Sequence, residues 1–459
     1  MSLKETLEKY SKSNIYPFHM PGHKRMLNGA YSIDMTEVEG VDDLHDPKDV
    51  IAAEQKRLAK LYKSEESFIL VGGSTVGNLS AIYGCCNEGD LILIQRNSHR
   101  SVYNAAILRH LKVEYIYSSQ DENGIFNAVT LDDIQKSIEY LQKAMPRAIV
   151  ITSPTYEGII CNIETIADYC HKKNIILIVD SAHGAHFGFH QSFKGLVVSS
   201  ADVTIMSLHK TLPCLTQTAA LHISGDRVDG RRIREALDIF ETSSPSYVLM
   251  SSVSDCLDYL EKAEDYFDPY VDKLIDFYKI GGQLKHLSLY ESNPENRDMG
   301  KLVISTRNSD ITGVELAKIL REEYMLETEL SSFSYVLAMT SVMDSQEGFD
   351  RLKKALLEID SGLKSGNIHV PSFKCSSSKE ISKKAMEPWE AKAKSGTLTK
   401  IEISEDEICQ DSVCLYPPGS PILVPGERIT KEALEMIQRA KAIGIHVTGI
   451  NNGCISIVN

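Results

Sequence analysis

Positive charge is in short supply in this chain. Lys and Arg together number 49 against 63 Asp and Glu, a net charge of −14. That balance argues against a nucleic-acid-binding surface and suits a protein that draws in a small cationic substrate. Long apolar runs are missing too. No stretch approaches the roughly 20 residues that cross a bilayer, and no signal peptide is recognisable. The opening Met1-Ser2-Leu3-Lys4-Glu5 reads as that of a cytoplasmic protein with no membrane partner. The ten cysteines, at 85, 86, 161, 170, 214, 256, 375, 409, 414 and 454, never form a Cys-x-x-Cys knuckle. The fourteen histidines supply no matching ligand spacing. Neither a metal centre nor a disulfide framework is expected, and the thiols read as reduced and mostly buried. Internal repeats and low-complexity tracts are also absent.

What remains is the composition of an ordinary globular protein, 42% hydrophobic and 24% charged. At 459 residues the chain exceeds a single core and predicts two or three domains. Residues 1–45 read as an N-terminal arm. Asp46-Pro47 then starts a helix, with Asp as N-cap and Pro in the first turn. Val50, Ile51, Leu58, Leu61 and Tyr62 form its apolar face. Short apolar runs alternate with amphipathic segments from there on. Strands are predicted over Phe68–Val71, Leu91–Ile94, Glu114–Tyr117, Ala148–Thr152, Ile175–Val179, Val203–Met206 and Ala219–Ile223. Between them, Ile163, Ile166, Ala167 and Cys170 recur with helical spacing. The run Ile175–Val179 is apolar throughout, as a parallel strand buried on both faces should be. The pattern predicts an α/β domain with a mainly parallel, doubly wound sheet over 46–254.

From about residue 255 charged helices (Asp255 to Lys279, Gly313 to Met325, Gln346 to Leu363) alternate with strands over Lys301–Thr306 and Tyr335–Thr340. These read as a smaller α+β domain over 255–363. Residues 364–400, rich in Ser and Lys and containing Pro371 and Pro388, read as a linker or crossing segment. Residues 401–459 read as a C-terminal domain with the turn-rich Tyr416-Pro417-Pro418-Gly419-Ser420-Pro421.

Doubly wound sheets gather ligands outside the carboxyl ends of their strands, and polar residues cluster there in sequence. Ser207-Leu208-His209-Lys210-Thr211 follows one strand, and Asp180 closes another thirty residues before Lys210. A lysine past one strand and an acid past its neighbour are what a pyridoxal phosphate (PLP) site needs. The amine forms a Schiff base with the cofactor aldehyde, and the acid keeps the pyridine nitrogen protonated so that the ring accepts electrons. The uncharged stretch Thr211–Thr218 would partly bury Lys210, lower its pKa and favour that chemistry.

Val71-Gly72-Gly73-Ser74-Thr75 lies between a strand and a helix. Glycine backbone, helix-start amides and the Ser74 and Thr75 hydroxyls suit a phosphate, and Ser207 adds a further hydroxyl. The segment lacks the Gly-Lys-Ser/Thr of a nucleotide P-loop and the spacing of a dinucleotide fingerprint; by itself it is also an ordinary strand–helix turn. His99, in Asn97-Ser98-His99-Arg100-Ser101, stands where a ring can stack on the pyridine face, or is simply a loop histidine. Asp180 has the alternative role of capping the following turn. His183 and His186 lack a third metal ligand. His209 is either a positioning residue or a proton donor.

Taken in order, several segments resemble the Orn/Lys/Arg amino-acid decarboxylases among the fold-type I PLP-dependent enzymes. They are Pro17-Phe18-His19-Met20-Pro21-Gly22-His23-Lys24, Gly72-Gly73-Ser74-Thr75, Ser98-His99-Arg100-Ser101, Asp180-Ser181-Ala182-His183-Gly184, Ser207-Leu208-His209-Lys210-Thr211-Leu212-Pro213, Thr242-Ser243-Ser244-Pro245-Ser246-Tyr247, and Tyr416-Pro417-Pro418-Gly419 with Pro425-Gly426-Glu427. The resemblance implies a fold-type I large domain with smaller α+β C-terminal domains. It implies Lys210 as the Schiff-base lysine, Asp180 as partner of the pyridine nitrogen and His99 as the ring-stacking residue. It also implies phosphate contacts from Ser74, Thr75, Ser207 and His209, with Gly73, Ala182 and His183 in the same cofactor-binding motifs. Members are homodimers with the active site at the interface, so Ser243 in Thr242–Tyr247 is expected to serve the neighbouring subunit. The chain resembles the short form, without the receiver-like N-terminal domain of the large enzymes. Two positions depart from the family: Ser181, where an acid is frequent, and Ser420, where an aliphatic residue is usual.

The reaction implied is decarboxylation of a basic L-amino acid (arginine, lysine or ornithine) to its amine and CO2, as in polyamine biosynthesis. Another PLP-dependent Cα reaction such as transamination, and a catalytically silent decarboxylase-like regulator, are the alternatives. Intact Lys210 and Asp180 argue against the second.

Overall fold

The computed structural model describes residues 2–142, 144–290, 296–370, 384–416 and 419–459. Pro371 and the Pro417-Pro418 pair lie outside the described residues, as does the side chain of Tyr416. The chain divides into two compact units, Met1–Cys85 with Ile163–Asp268 and Cys86–Asn162 with Pro269–Asn459. Boundaries read along the chain are sequential, whereas this division interleaves it.

In chain order the elements begin with α1 (Leu3–Ser11), α2 (Val50–Tyr62), β1 (Glu66–Leu70), α3 (Gly73–Cys85), β2 (Leu91–Gln95), α4 (Arg100–Leu108), β3 (Lys112–Ile116), α5 (Leu131–Tyr140) and β4 (Ala148–Thr152). They continue with α6 (Ile163–Lys172), β5 (Ile176–Asp180), β6 (Val203–Ser207), α7 (Leu208–Thr211), β7 (Ala219–Ile223), α8 (Gly230–Phe240), α9 (Tyr247–Leu260) and α10 (Ala263–Tyr278).

The first unit carries the strands of the large sheet in the order β1-β7-β6-β5. β5 and β6 are parallel; β7 runs antiparallel to both β6 and β1. Every residue of β5, β6 and β7 is buried. Burial on both faces is why these strands are mostly apolar, with β5 reading Ile-Leu-Ile-Val before Asp180, instead of alternating regularly with polar residues. Helix α3 lies on β5, β6 and β7, and α8 packs against α3. Gly77 permits the close approach of α3. A Cβ there would lie 2.6 Å from Ile205 Cγ2 and 3.1 Å from Leu70 Cδ1.

The expected N-terminal arm is anchored by α1, whose Leu3 and Leu7 are fully buried. Glu54 of α2 accepts from Leu3 N (3.0 Å) and Ser254 Oγ (2.6 Å), and Lys4 pairs with Asp255 at 2.9 Å. The start of α2 corrects the sequence reading. Asp46 does not cap it: the Asp42 carboxylate accepts from Ile51 N (2.8 Å), Asp49 N and Lys48 N (3.0 Å each). A second correction is that the helix expected from Asp255 to Lys279 is two helices, α9 and α10, the first beginning at Tyr247.

The second unit carries β4-β2-β3 of the large sheet, with β2 parallel to both neighbours. Its C-terminal part contains β8 (Ser288–Leu289), β9 (Lys301–Ser305), α11 (Gly313–Tyr324), β10 (Leu330–Ser331), β11 (Tyr335–Met339) and α12 (Gln346–Gly362). These build an antiparallel sheet in the order β10-β11-β9-β8. Then come α13 (Pro388–Ala393), β12 (Gly396–Lys400), β13 (Val413–Tyr416), β14 (Pro421–Leu423), α14 (Lys431–Ala442), β15 (His446–Thr448), β16 (Ile450–Asn451) and β17 (Cys454–Val458). They form two three-stranded sheets around a core of Ile401, Val413, Ile422, Leu423, Ile437 and Ile455. The segment expected to be a linker thus contains α13 and β12; β12 pairs with β17 over five residues.

Candidate active site

In the first unit the ends of two parallel strands meet the start of α3. Asp180 is the last residue of β5 and Ser207 the last of β6. Asp180 is 2% exposed and is held by two neutral donors, Asn78 Nδ2 at 2.9 Å and Ala182 N at 3.1 Å. Ser74 Oγ lies 2.7 Å from Ser207 Oγ. Ser74 and Asn78 stand at i and i+4 on α3, so one helix face presents both to the strand ends. Ser74 and Gly73 open the helix, where free amides and the macrodipole favour an anion. Thr75, beside them, is exposed.

Lys210 sits in α7, the short turn that begins directly after β6. Its Nζ lies 3.0 Å from His183 Nε2, so the two sequence candidates are in contact. Sequence reasoning did not anticipate this pairing. His209 Nδ1 lies 2.8 Å from the Thr218 carbonyl. A carbonyl only accepts, so Nδ1 carries the proton and a neutral ring leaves Nε2 as an acceptor. Burial pushes the His209 pKa down, the Thr218 carbonyl opposes this, and nearby Lys210 lowers it further; the net shift is downward. Among the described residues no group of three His, Cys, Asp or Glu could hold a metal.

The residues fit PLP. A buried carboxylate held by neutral groups is the counterpart a buried pyridinium needs. A lysine amine lies one short turn past the next strand, and a helix N-terminus with two serine hydroxyls matches a phosphate. Asn78 and Glu241 were missed as site residues. Glu241 accepts from Val71 N and Gly72 N at 3.1 and 3.2 Å. Ser243, two residues beyond it, is exposed. A cavity of about 780 Å³ opens elsewhere in this unit, between α2, β1 and α8; Glu66, Arg234 and Glu241 line it, Lys210 and Asp180 do not.

His99 belongs to the second unit, where it is the N-cap of α4. Its Nδ1 accepts from Ser101 N at 3.2 Å and lies 2.8 Å from Ser101 Oγ, which fixes the ring orientation. The loop that carries it is braced by the C-terminal segment. Arg96 donates to both carboxylate oxygens of Glu427 (3.2 and 2.9 Å) and to the Pro421 and Ile422 carbonyls (2.7 and 3.0 Å). Ser420 Oγ donates to the Asn97 carbonyl at 3.0 Å. Burial opposes the charge on Arg96, but Glu427 outweighs it and the guanidinium pKa is raised. Gly426 completes the turn with φ +88°, and a Cβ there would lie 2.4 Å from the Met386 carbonyl oxygen.

Comparison with known proteins agrees with this layout. The Orn/Lys/Arg decarboxylase major domain matches residues 2–280, and the C-terminal domain of the same family matches 374–452. The arginine decarboxylase of Halalkalibacterium halodurans is 28% identical over 96% of this chain and 93% of its own length. The Bacillus subtilis arginine decarboxylase is 27% identical over 98% and 96%. The Francisella novicida lysine decarboxylase structure superposes with a TM-score of 0.84 at 20% identity, covering 100% of this chain and 81% of that one. A Sphingomonas wittichii serine palmitoyltransferase shares the fold more distantly, with a TM-score of 0.54 at 14% identity over 68% of this chain and 76% of that one. The mixed α/β architecture, with a large mainly parallel sheet and small antiparallel C-terminal sheets, is shared over its whole length with the lysine decarboxylase structure. No helix among the described residues is long and apolar enough to cross a membrane. The chain belongs to the Orn/Lys/Arg decarboxylase family of amino-acid decarboxylases.

Proposed function

We propose that this chain is a PLP-dependent decarboxylase that converts a basic L-amino acid (arginine, lysine or ornithine) to the corresponding amine and CO2. The observation that carries the reading is the juxtaposition, at two adjacent strand ends, of Asp180, Lys210 and the Ser74–Ser207 pair. When bound, PLP supplies an electrophilic aldehyde and an electron-withdrawing pyridinium ring. Lys210 would hold it covalently, Asp180 would hold the proton on the ring nitrogen, and Gly73, Ser74, Thr75 and Ser207 would hold the phosphate.

The chain's own groups define the proton path. To act as a nucleophile Lys210 sheds a proton, and the His183 Nε2 lone pair, 3.0 Å away, is placed to take it. The same pair can hand a proton back after CO2 leaves. His209 is a poorer donor, because its one proton is committed to the Thr218 carbonyl. A phosphate contact from Nε2 of His209 therefore requires the doubly protonated ring. His99, whose ring Ser101 orients, is assigned the ring-stacking role on the family resemblance alone. The net charge of −14 favours the approach of a basic substrate. The exposure of Ser243 supports its assignment to the site of a partner subunit in a cytoplasmic homodimer.

Two assays test the reading. Borohydride reduction of PLP-loaded protein followed by digestion should tag the peptide containing Lys210; a tag elsewhere, or none, sinks the cofactor assignment. Release of CO2 and amine from arginine, lysine or ornithine, without keto acid, should identify the substrate. Failure of all three with PLP bound rejects the substrate class, and keto acid formation would favour transamination.

A further inference from the structure

We propose that Glu241, the residue that ends α8, is a positioning residue for the cofactor phosphate, acting through the backbone of the Val71-Gly72-Gly73 turn; this rests on the PLP reading above. Three peptide groups converge on its carboxylate. Oε2 accepts from Val71 N (3.1 Å) and Gly72 N (3.2 Å), and Oε1 accepts from Thr242 N (3.1 Å). The first two belong to the turn that leads from β1 into α3. The third begins the segment that carries Ser243. Glu241 thus ties the turn assigned to the phosphate to the start of the segment that carries Ser243.

The geometry leaves the carboxylate little latitude. A Cβ on Gly72 would lie 3.1 Å from Glu241 Oε1 and 2.4 Å from Val76 Cγ2, so the acid rests directly against the turn. Hydrogen bonds from peptide N–H groups to a carboxylate are roughly twice as strong as neutral ones. They fix the peptide planes that immediately precede the first helical residues, Gly73 and Ser74. An anion at a helix N-terminus is held by the direction of those free amides. Rotating the two preceding peptides re-aims them and shifts Ser74 Oγ away from Ser207. Glu241 does this without any assigned contact to ligand, at a distance of 169 and 170 residues in sequence from the groups it holds.

A role confined to the phosphate makes a selective forecast. Pyridoxal, which lacks the phosphate, engages Lys210 and Asp180 but not the α3 N-terminus. Full-length wild type, Glu241→Gln and Glu241→Ala, stripped of cofactor, would be titrated with PLP and with pyridoxal while Schiff-base absorbance is followed. Thermal unfolding of each protein is recorded alongside. Loss of these bonds in Glu241→Ala is expected to raise the Kd for PLP about tenfold, with the pyridoxal Kd changed less than about twofold. Glu241→Gln keeps one acceptor oxygen but turns an amide NH2 toward Thr242 N–H, so its PLP Kd should rise by a smaller factor, again with pyridoxal unaffected. Should the alanine variant fail to fold, the glutamine variant decides by the same comparison. Equal weakening of both ligands, or undiminished PLP affinity, overturns the proposal. A wild-type protein that forms no Schiff base with PLP overturns the cofactor reading instead, and this role with it.

Discussion

The roles proposed for Lys210 and Asp180 are separable, and single substitutions should show it. Lys210→Ala is expected to abolish borohydride-trappable cofactor. Asp180→Asn keeps a polar group beside Asn78 and Ala182 N but cannot hold the ring proton. It should still form the Schiff base while kcat/KM falls by about 10²–10³, the range seen when one preorganised electrostatic group is lost. Retention of full activity in Asp180→Asn would remove Asp180 from the site. Another residue carries a pH dependence. His222 on β7 is buried, its Nδ1 lies 2.7 Å from Ser67 Oγ, and burial lowers its pKa to about 3. The unfolded chain protonates this imidazole near its ordinary value of 6.5 while the folded chain does not. Stability is therefore fully present above that pH and declines as pH falls from 6.5 towards 3, at a limiting slope of about 1.4 kcal/mol per pH unit. Urea melts at pH 7.5 and pH 5 should show this loss in wild type and a shallower one in His222→Leu. Parallel losses in the two proteins would assign the slope to other groups.

Two elements of the fold depend on carboxylates that lie outside them, one 331 residues away and one within ten. The Arg96–Glu427 pair is desolvated, with Glu427 0% exposed, and breaking one partner of such a pair costs about 3–5 kcal/mol because the other charge stays buried. Glu427→Ala should lower the unfolding midpoint accordingly. Arg96→Met/Glu427→Leu together should be less destabilised than either single change. The pair braces the loop that leads to His99, so if His99 has the stacking role proposed for it, Glu427→Ala should also alter the absorbance of bound cofactor; an unchanged spectrum would confine the pair to stability. At α2, Asp42 replaces the local cap that Asp46 had promised. Burial alone would raise its pKa, but amides of Lys48, Asp49, Asp43 and Ile51 outweigh that and hold it below the ordinary carboxylate value. Its contribution is present above the unfolded pKa near 3.8 and is lost as pH falls through the lower folded value. Asp42→Ala should destabilise the protein by about 1–2 kcal/mol at neutral pH, measured by urea melts.

If Ser243 serves the partner's site, mixing inactive Lys210→Ala with an inactive Ser243→Arg variant should restore about a quarter of the wild-type activity, through mixed dimers that each contain one intact site. No recovery, with dimers present, would place Ser243 in its own subunit's site. Much of this architecture could be read from the chain. The large-sheet strands lie within two residues of where apolar runs of Ile, Val and Leu put them, because burial on both faces leaves little choice of residue type. Ser74, Asp180, Ser207 and Lys210 stood out because each lies at a strand end or helix start, where local order alone sets its neighbourhood. Asn78, Glu241 and Glu427 did not. Their partners lie 102, 170 and 331 residues away, and 63 acidic side chains offer no local mark of which one matters. The cap of α2 misled on a shorter scale: Asp46-Pro47 is a local signal, while the amides of Lys48, Asp49 and Ile51 took the Asp42 carboxylate, which the preceding loop turns toward them. The sequence alone thus determined which residue types stand at the ends of β5 and β6, since an acid closing one strand and a lysine just past the next are a statement of residue type and order. Only the tertiary structure decided which carboxylates hold which amides and cations, because hydrogen bonds form by distance and direction in space.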